Sequence, residues 1–155
     1  MVSIAAPRPG VQERILLHLR DYVDYADKVE VPFAISQMGI ANAVAIARSN
    51  VPRAISGMKD SGHLIERQAH VSGVSRKRKA YFLTSDGVSL ADDIWKKVSE
   101  QPIRLIHSDG RSENVDLQSA IEATELPLRH VDILRYLDDS GTVDLSSLSP
   151  DLIER

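Results

Sequence analysis

Residues 36–65, SQMGIANAVAIARSNVPRAISGMKDSGHLI, leave this chain little freedom. Two short apolar segments stand a few residues apart, each preceded by a serine able to cap a helix. Ser36 opens QMGIANAV, a helix that turns Ile40, Ala41 and Val44 inward. Ser49 opens NVPRAISGMKDS, with Pro52 in its first turn, where the missing N–H costs nothing. Gly62 then supplies a natural helix stop. In this second helix Val51, Ile55 and Met58 form the i, i+4, i+7 stripe of a buried face.

The flanking segments extend the pattern. Upstream, VQERILLHLRDYV (11–23) places Val11, Ile15, Leu16, Leu19, Tyr22 and Val23 on one helical face. VEVPFAIS is short and apolar, with a proline that suits only an edge or isolated strand. Downstream, HLIERQAHV (63–71) and AYFLT (80–84) read as strands of an antiparallel hairpin whose loop holds Arg76, Lys77, Arg78 and Lys79. SDGVSLADDIWKKVSE (85–100) follows as a helix that Ser85 can cap, with Val88, Ala91, Ile94, Trp95 and Val98 sharing a face. Helix, strand, helix, turn, helix, hairpin, helix is the order of a winged helix-turn-helix. The remaining tail reads as a hairpin around Asp109-Gly110, a helix capped by Asp116, and an amphipathic helix 128–141 carrying Val131, Ile133, Leu134 and Leu137 to a stop at Gly141. The final SSLSPDLIER offers no obvious terminal element. The expected fold class is therefore mainly α with small β (α+β). A winged helix-turn-helix domain spans residues 1–101, and a small acidic C-terminal α/β extension of one hairpin and two helices spans 102–155.

The ordered set Ile40-Ala41, Ile46, Ser49-Asn50-Val51, Ile55, Met58, Gly62 and Leu64-Ile65 resembles the MarR-like winged-helix regulators. The archaeal type is closest in style, with VPF before the first helix of the pair and an RKRKAYFLT-like wing. The resemblance covers roughly residues 11–100. It implies a DNA-binding regulator and, through terminal helices, a homodimer. Ala45 departs from the pattern, because the turn there often has glycine.

The chemistry of the pair's second helix fits that implication. A rotation of about 100° per residue puts Ser49, Arg53 and Ser56 opposite the buried stripe, with Asn50 and Lys59 on its flanks. Arginine can bond guanine bidentately, asparagine adenine, and serine either a base or a phosphate. Asp60 also points outward, but near the end that usually leaves a groove. Gly57 costs about 1 kcal/mol against alanine inside a helix, and either the preceding helix or a DNA backbone would explain it. A run such as Arg76–Lys79 can be a solvated surface, a targeting patch or a grip on an anion. Its place at the end of a hairpin beside an outward helix favours DNA. Alternation along a strand would send Arg76 and Arg78 one way and Lys77 and Lys79 the other.

Charge is split along the chain. Residues 1–100 carry 14 Lys and Arg against 11 Asp and Glu, whereas residues 101–155 carry 5 against 11. The absence of cysteine removes disulfides, thiol nucleophiles and thiolate metal sites. The five histidines show no ligand spacing, and neither GxxxxGK[ST] nor GxGxxG occurs, so no enzyme, metal or cofactor is expected. Asp92-Asp93 and Asp138-Asp139 read as solvated faces. With no apolar run near the roughly 20 residues that cross a bilayer, and an N-terminus unlike a signal peptide, the expected place is the cytoplasm and the expected partner double-stranded DNA. The competing readings are a winged module docking an acidic protein, and the N-terminal portion of a longer archaeal ATPase-type regulator.

Overall fold

The computed structural model describes residues 9–148. The chain divides into two compact units. One is Gly10–Ile94, and the other includes Trp95 and everything described after it.

In the first unit, α1 (Val11–Arg20) is followed by β1 (Glu30–Val31), α2 (Gln37–Val44), α3 (Val51–Asp60), β2 (Leu64–Val71), β3 (Lys77–Leu83) and the start of α4 (Ser85–Ser99). The three strands form a sheet in the order β1-β2-β3, with β1 as the expected edge, parallel to β2. Ile15, Leu16 and Leu19 of α1 meet Ile40 and Val44 of α2, Val51 and Ile55 of α3, and Phe82 of β3 in a core where each is at most 3% exposed. Each such side chain contributes about 1.5–3 kcal/mol on leaving water. Gly39 lets α2 press onto the preceding turn: a Cβ there would stand 2.1 Å from the Phe33 carbonyl oxygen.

Caps explain where the helices begin and end. The Ser36 hydroxyl accepts the Gly39 N–H at 3.1 Å, as the sequence suggests. At the far end of α2, the buried Arg14 guanidinium donates to the Val44 carbonyl at 2.9 Å, satisfying one of the carbonyls that a helix end orphans. Ala45 then takes φ 60° and ψ 51°, the left-handed geometry that glycine fills most readily. The end of α3 bonds Gly62 N–H to Lys59 O and His63 N–H to Met58 O around a Gly62 φ of +79°. Those are the two bonds of a Schellman stop.

Four local expectations need correction. The first helix ends at Arg20, and Val23–Tyr25 form a separate 3-10 turn. Asp21, Asp24 and Asp27 put negative charge and competing side-chain acceptors where a helix C-terminus tolerates neither. Ser49 does not cap α3. It lies inside a 3-10 turn, Arg48–Asn50, that runs on into the helix, and no side chain bonds there. Ser85 is already inside α4, and the Thr84 hydroxyl accepts the Gly87 N–H at 3.1 Å while donating to the Gly62 carbonyl at 2.6 Å. Finally, the basic residues are mostly strand rather than loop. Pairing runs from Leu64↔Leu83 to His70↔Lys77, so Lys77, Arg78 and Lys79 belong to β3 and only Arg76 stays in the turn.

The second unit holds β4 (Ile103–Ile106), β5 (Ser112–Val115), α5 (Leu117–Thr124), α6 (His130–Leu134) and β6 (Thr142–Asp144). The hairpin turns at Gly110 with φ +92°, and the Asp116 carboxylate accepts the Ser119 N–H at 2.7 Å, both as read from the sequence. The last helix is far shorter than expected, and it gives way to a strand that periodicity does not signal. The helix stops at Leu134, and beyond it Asp138 Oδ1 accepts the N–H groups of Ser140 and Thr142 in a turn that launches β6. Leu137 bridges Val143, and β6 runs parallel to β4 in the order β5-β4-β6. Local carboxylate bonding outcompetes the helix that periodicity alone suggests. Asp138 anchors this turn while staying exposed, and Asp92, also exposed, pairs with Arg20 at 2.9 Å.

Candidate nucleic-acid interface

The outward side of α3 is assembled by its inward side. Val51, Ile55 and Met58 are at most 5% exposed, so rotation along the helix leaves Ser49, Asn50, Arg53, Ser56 and Lys59 exposed. These residues do not form one stripe. Asn50 and Arg53 open onto a groove of about 650 Å³ that also takes Gln12 and Glu13 from the start of α1. Lys59 leans the other way, toward the hairpin, where it meets Glu66 of β2 at 3.3 Å. Asp60 is exposed as well.

Gly57 faces α1, not α2. A Cβ there would meet only the Gln12 side chain, at 3.8 Å. Gln12 itself donates to the Ala54 carbonyl at 3.0 Å.

On the hairpin, Arg76, Lys77, Arg78 and Lys79 are all exposed. Register puts Lys77, Lys79 and Tyr81 on one face, across from His70, Gln68 and Glu66, and Arg78 on the other, across from Ala69. Lys79 reaches Glu66 at 3.9 Å, so Lys59 and Lys79 converge on one carboxylate from two elements. Beneath them the Gln37 amide donates to the Tyr81 hydroxyl at 3.0 Å. Burial, chiefly, and the neighbouring Glu66 push the Tyr81 hydroxyl up to about 12, so it stays protonated. For Glu66, burial pushes upward, but the Tyr81 hydrogen bond and the two lysines outweigh it and hold the carboxyl below its usual range. It is therefore a fixed negative charge among cations.

Sequence reasoning missed three contributors: Arg48, Gln68 and Glu66. Arg48 lies in the turn before α3 and joins Gln37, Gln68, Lys77, Arg78 and Lys79 around a groove of about 500 Å³ between α2 and β3. A basic residue just ahead of a helix start is a legible signal, whereas the strand register that brings Gln68 and Glu66 beside Lys79 is not. Among the described residues Arg48, Arg53, Arg76, Lys77 and Arg78 make no ion pair, no group of three His, Cys, Asp or Glu is placed to hold a metal, and no helix is long and apolar enough to cross a membrane.

No protein-family model matches the sequence, and no curated protein is similar to it at a significant level. Among solved structures, the chain is similar to Staphylococcus aureus MepR, described as a transcription regulator of the multidrug efflux pump MepA, at 16% identity and a TM-score of 0.43 over 57% of this chain and 56% of that one. It is similar to a MepR–DNA complex at 16% identity and 0.45 over 59% and 68%. A double mutant of Lactococcus lactis ZitR, in apo form, is similar at 18% identity and 0.43 over 56% and 55%. The chain thus spans between 55% and 68% of the length of these solved chains.

Proposed function

We propose that this chain binds double-stranded DNA, with α3 in the major groove and the β2–β3 wing on the flanking backbone, and that it acts as a transcription regulator. The observation that carries the reading is the convergence of Lys59 and Lys79 on Glu66, which puts the outer flank of α3 and the basic strand on one side of the unit. A duplex laid on that side meets Lys59 from the helix and Lys77 and Lys79 from the wing, while Arg53 and Asn50 stand on the other flank of α3, toward Gln12 and Glu13. Arg48, at the groove between them, adds a cation toward the same strand. Phosphate contacts from the wing position the protein, and α3 reads bases. On this reading the protein works in the cytoplasm as a homodimer, catalyses no reaction and needs no cofactor.

Arg53 is the residue assigned to readout. It is exposed in the first turn of α3, has no ion-pair partner among the described residues, and matches guanine by its two-pronged donor geometry. Arg53→Ala is expected to lose preference at one base-pair position by about 1–3 kcal/mol while leaving sequence-independent binding mostly intact. Arg53→Lys restores charge but not the fork, so it rescues overall affinity better than selectivity. Both variants are measured against single-base changes in a duplex selected from a random pool. A uniform shift across the panel assigns Arg53 to phosphate instead.

A further inference from the structure

The Glu66 carboxylate is an oddity in a surface meant for phosphates. It lies between Lys59 and Lys79 at 3.3 and 3.9 Å, and its side chain is 23% exposed while theirs are 40% and 52%. It is not a stray surface charge, because α3 and β3 each bring an amine onto it, and Tyr81 stands directly across the strand pair from it. Two elements besides β2 thus hold one anion at the junction of helix and wing.

We infer that Glu66 is a specificity-determining residue that suppresses sequence-independent DNA binding. The inference rests on the DNA-binding reading above. Non-specific affinity is almost wholly electrostatic and scales with phosphates neutralised. Here two of the interface cations already share a carboxylate, so a phosphate approaching either amine competes with Glu66 and feels its repulsion. Arg48, Arg76, Lys77 and Arg78 carry no such partner and supply the general grip. Contacts from α3 to bases, available only at a matching site, offset the repulsion there. The ordered positions of the two amines on Glu66 also lower the cost of placing them when the correct duplex docks. This penalty is common to all duplexes, so it takes non-matching complexes below useful affinity while a matching site, with its base contacts, stays bound.

The test compares wild type, Glu66→Gln and Glu66→Asp for affinity to a duplex of random sequence across a salt series. Glutamine keeps the shape without the charge, while aspartate keeps the charge. Glu66→Gln is expected to bind the random duplex on the order of tenfold tighter at low salt, with Glu66→Asp remaining near wild type. In parallel, Lys59→Gln and Lys79→Gln, both at exposed positions, are expected to cost less affinity than Arg78→Gln because their charge is already shared. Glu66→Gln binding at or below the wild-type level, or Lys79→Gln costing as much as Arg78→Gln, overturns the inference while leaving the DNA reading in place. A wild-type protein with no salt-dependent duplex binding overturns both.

Discussion

Ala45 and Gly39 show how single residues hold the helix-turn-helix in shape. Ala45 ends α2 in the left-handed region at φ 60°, where a Cβ crowds the following carbonyl. Ala45→Gly is therefore expected to stabilise the chain by about 1 kcal/mol, read as a rise in thermal midpoint. Gly39 is the opposite case, because its missing Cβ is the space in which the Phe33 carbonyl and Ala34 sit. Gly39→Ala must move α2 off the preceding turn and is expected to destabilise by roughly 2–4 kcal/mol, in the range of overpacked or strained core positions. Equal midpoints for the two variants would refute this account of the turn. The residue scale also shows what a lone sequence hides. The Val51, Ile55 and Met58 stripe and the Ser36 cap are local, and they are where the pattern puts them. Glu66 is invisible as a partner of Lys59 and Lys79 until strand register is known.

Elements are legible where their signals are carried within a few residues. The α2 boundaries, the Gly62 stop, the Asp109-Gly110 hairpin and the Asp116 cap follow from caps and turn residues alone. Elements that exist through a distant partner are not. The strand β3 begins at Lys77 because Gln68, Ala69 and His70 offer it a ladder, and β6 exists because β4 lies beside it. Helical periodicity between residues 128 and 141 is real in composition but yields to the Asp138 turn, where the Ser140 hydroxyl and the Thr142 N–H hold the carboxyl below its usual range. As an element, the wing is expected to supply affinity and little selectivity. Replacing Arg76, Lys77, Arg78 and Lys79 with alanine should weaken binding to all duplexes alike. The salt dependence should flatten by up to about 0.9 log units for each phosphate that the wing no longer neutralises. An unchanged slope would remove the wing from the interface.

At the scale of the whole molecule, the unit Gly10–Ile94 closes a core from α1, α2, α3 and the hairpin, and the acidic extension carries its own sheet. We propose that the two fold independently, so that residues 1–101 without 102–155 keep a cooperative thermal transition. A truncated chain that melts without cooperativity would tie the two together. Charge is also split along the sequence, and seven of the 14 Lys and Arg in residues 1–100 lie on α3, the turn before it and the Arg76–Lys79 run of the wing. The measurement that tests this account most directly is the affinity of the intact chain for duplex DNA across a salt series. A linear fall of log affinity with log salt, with a slope of about −0.9 for each phosphate neutralised by the α3 flank, Arg48 and the wing, is predicted. Affinity that is absent, or flat across the series, would contradict it.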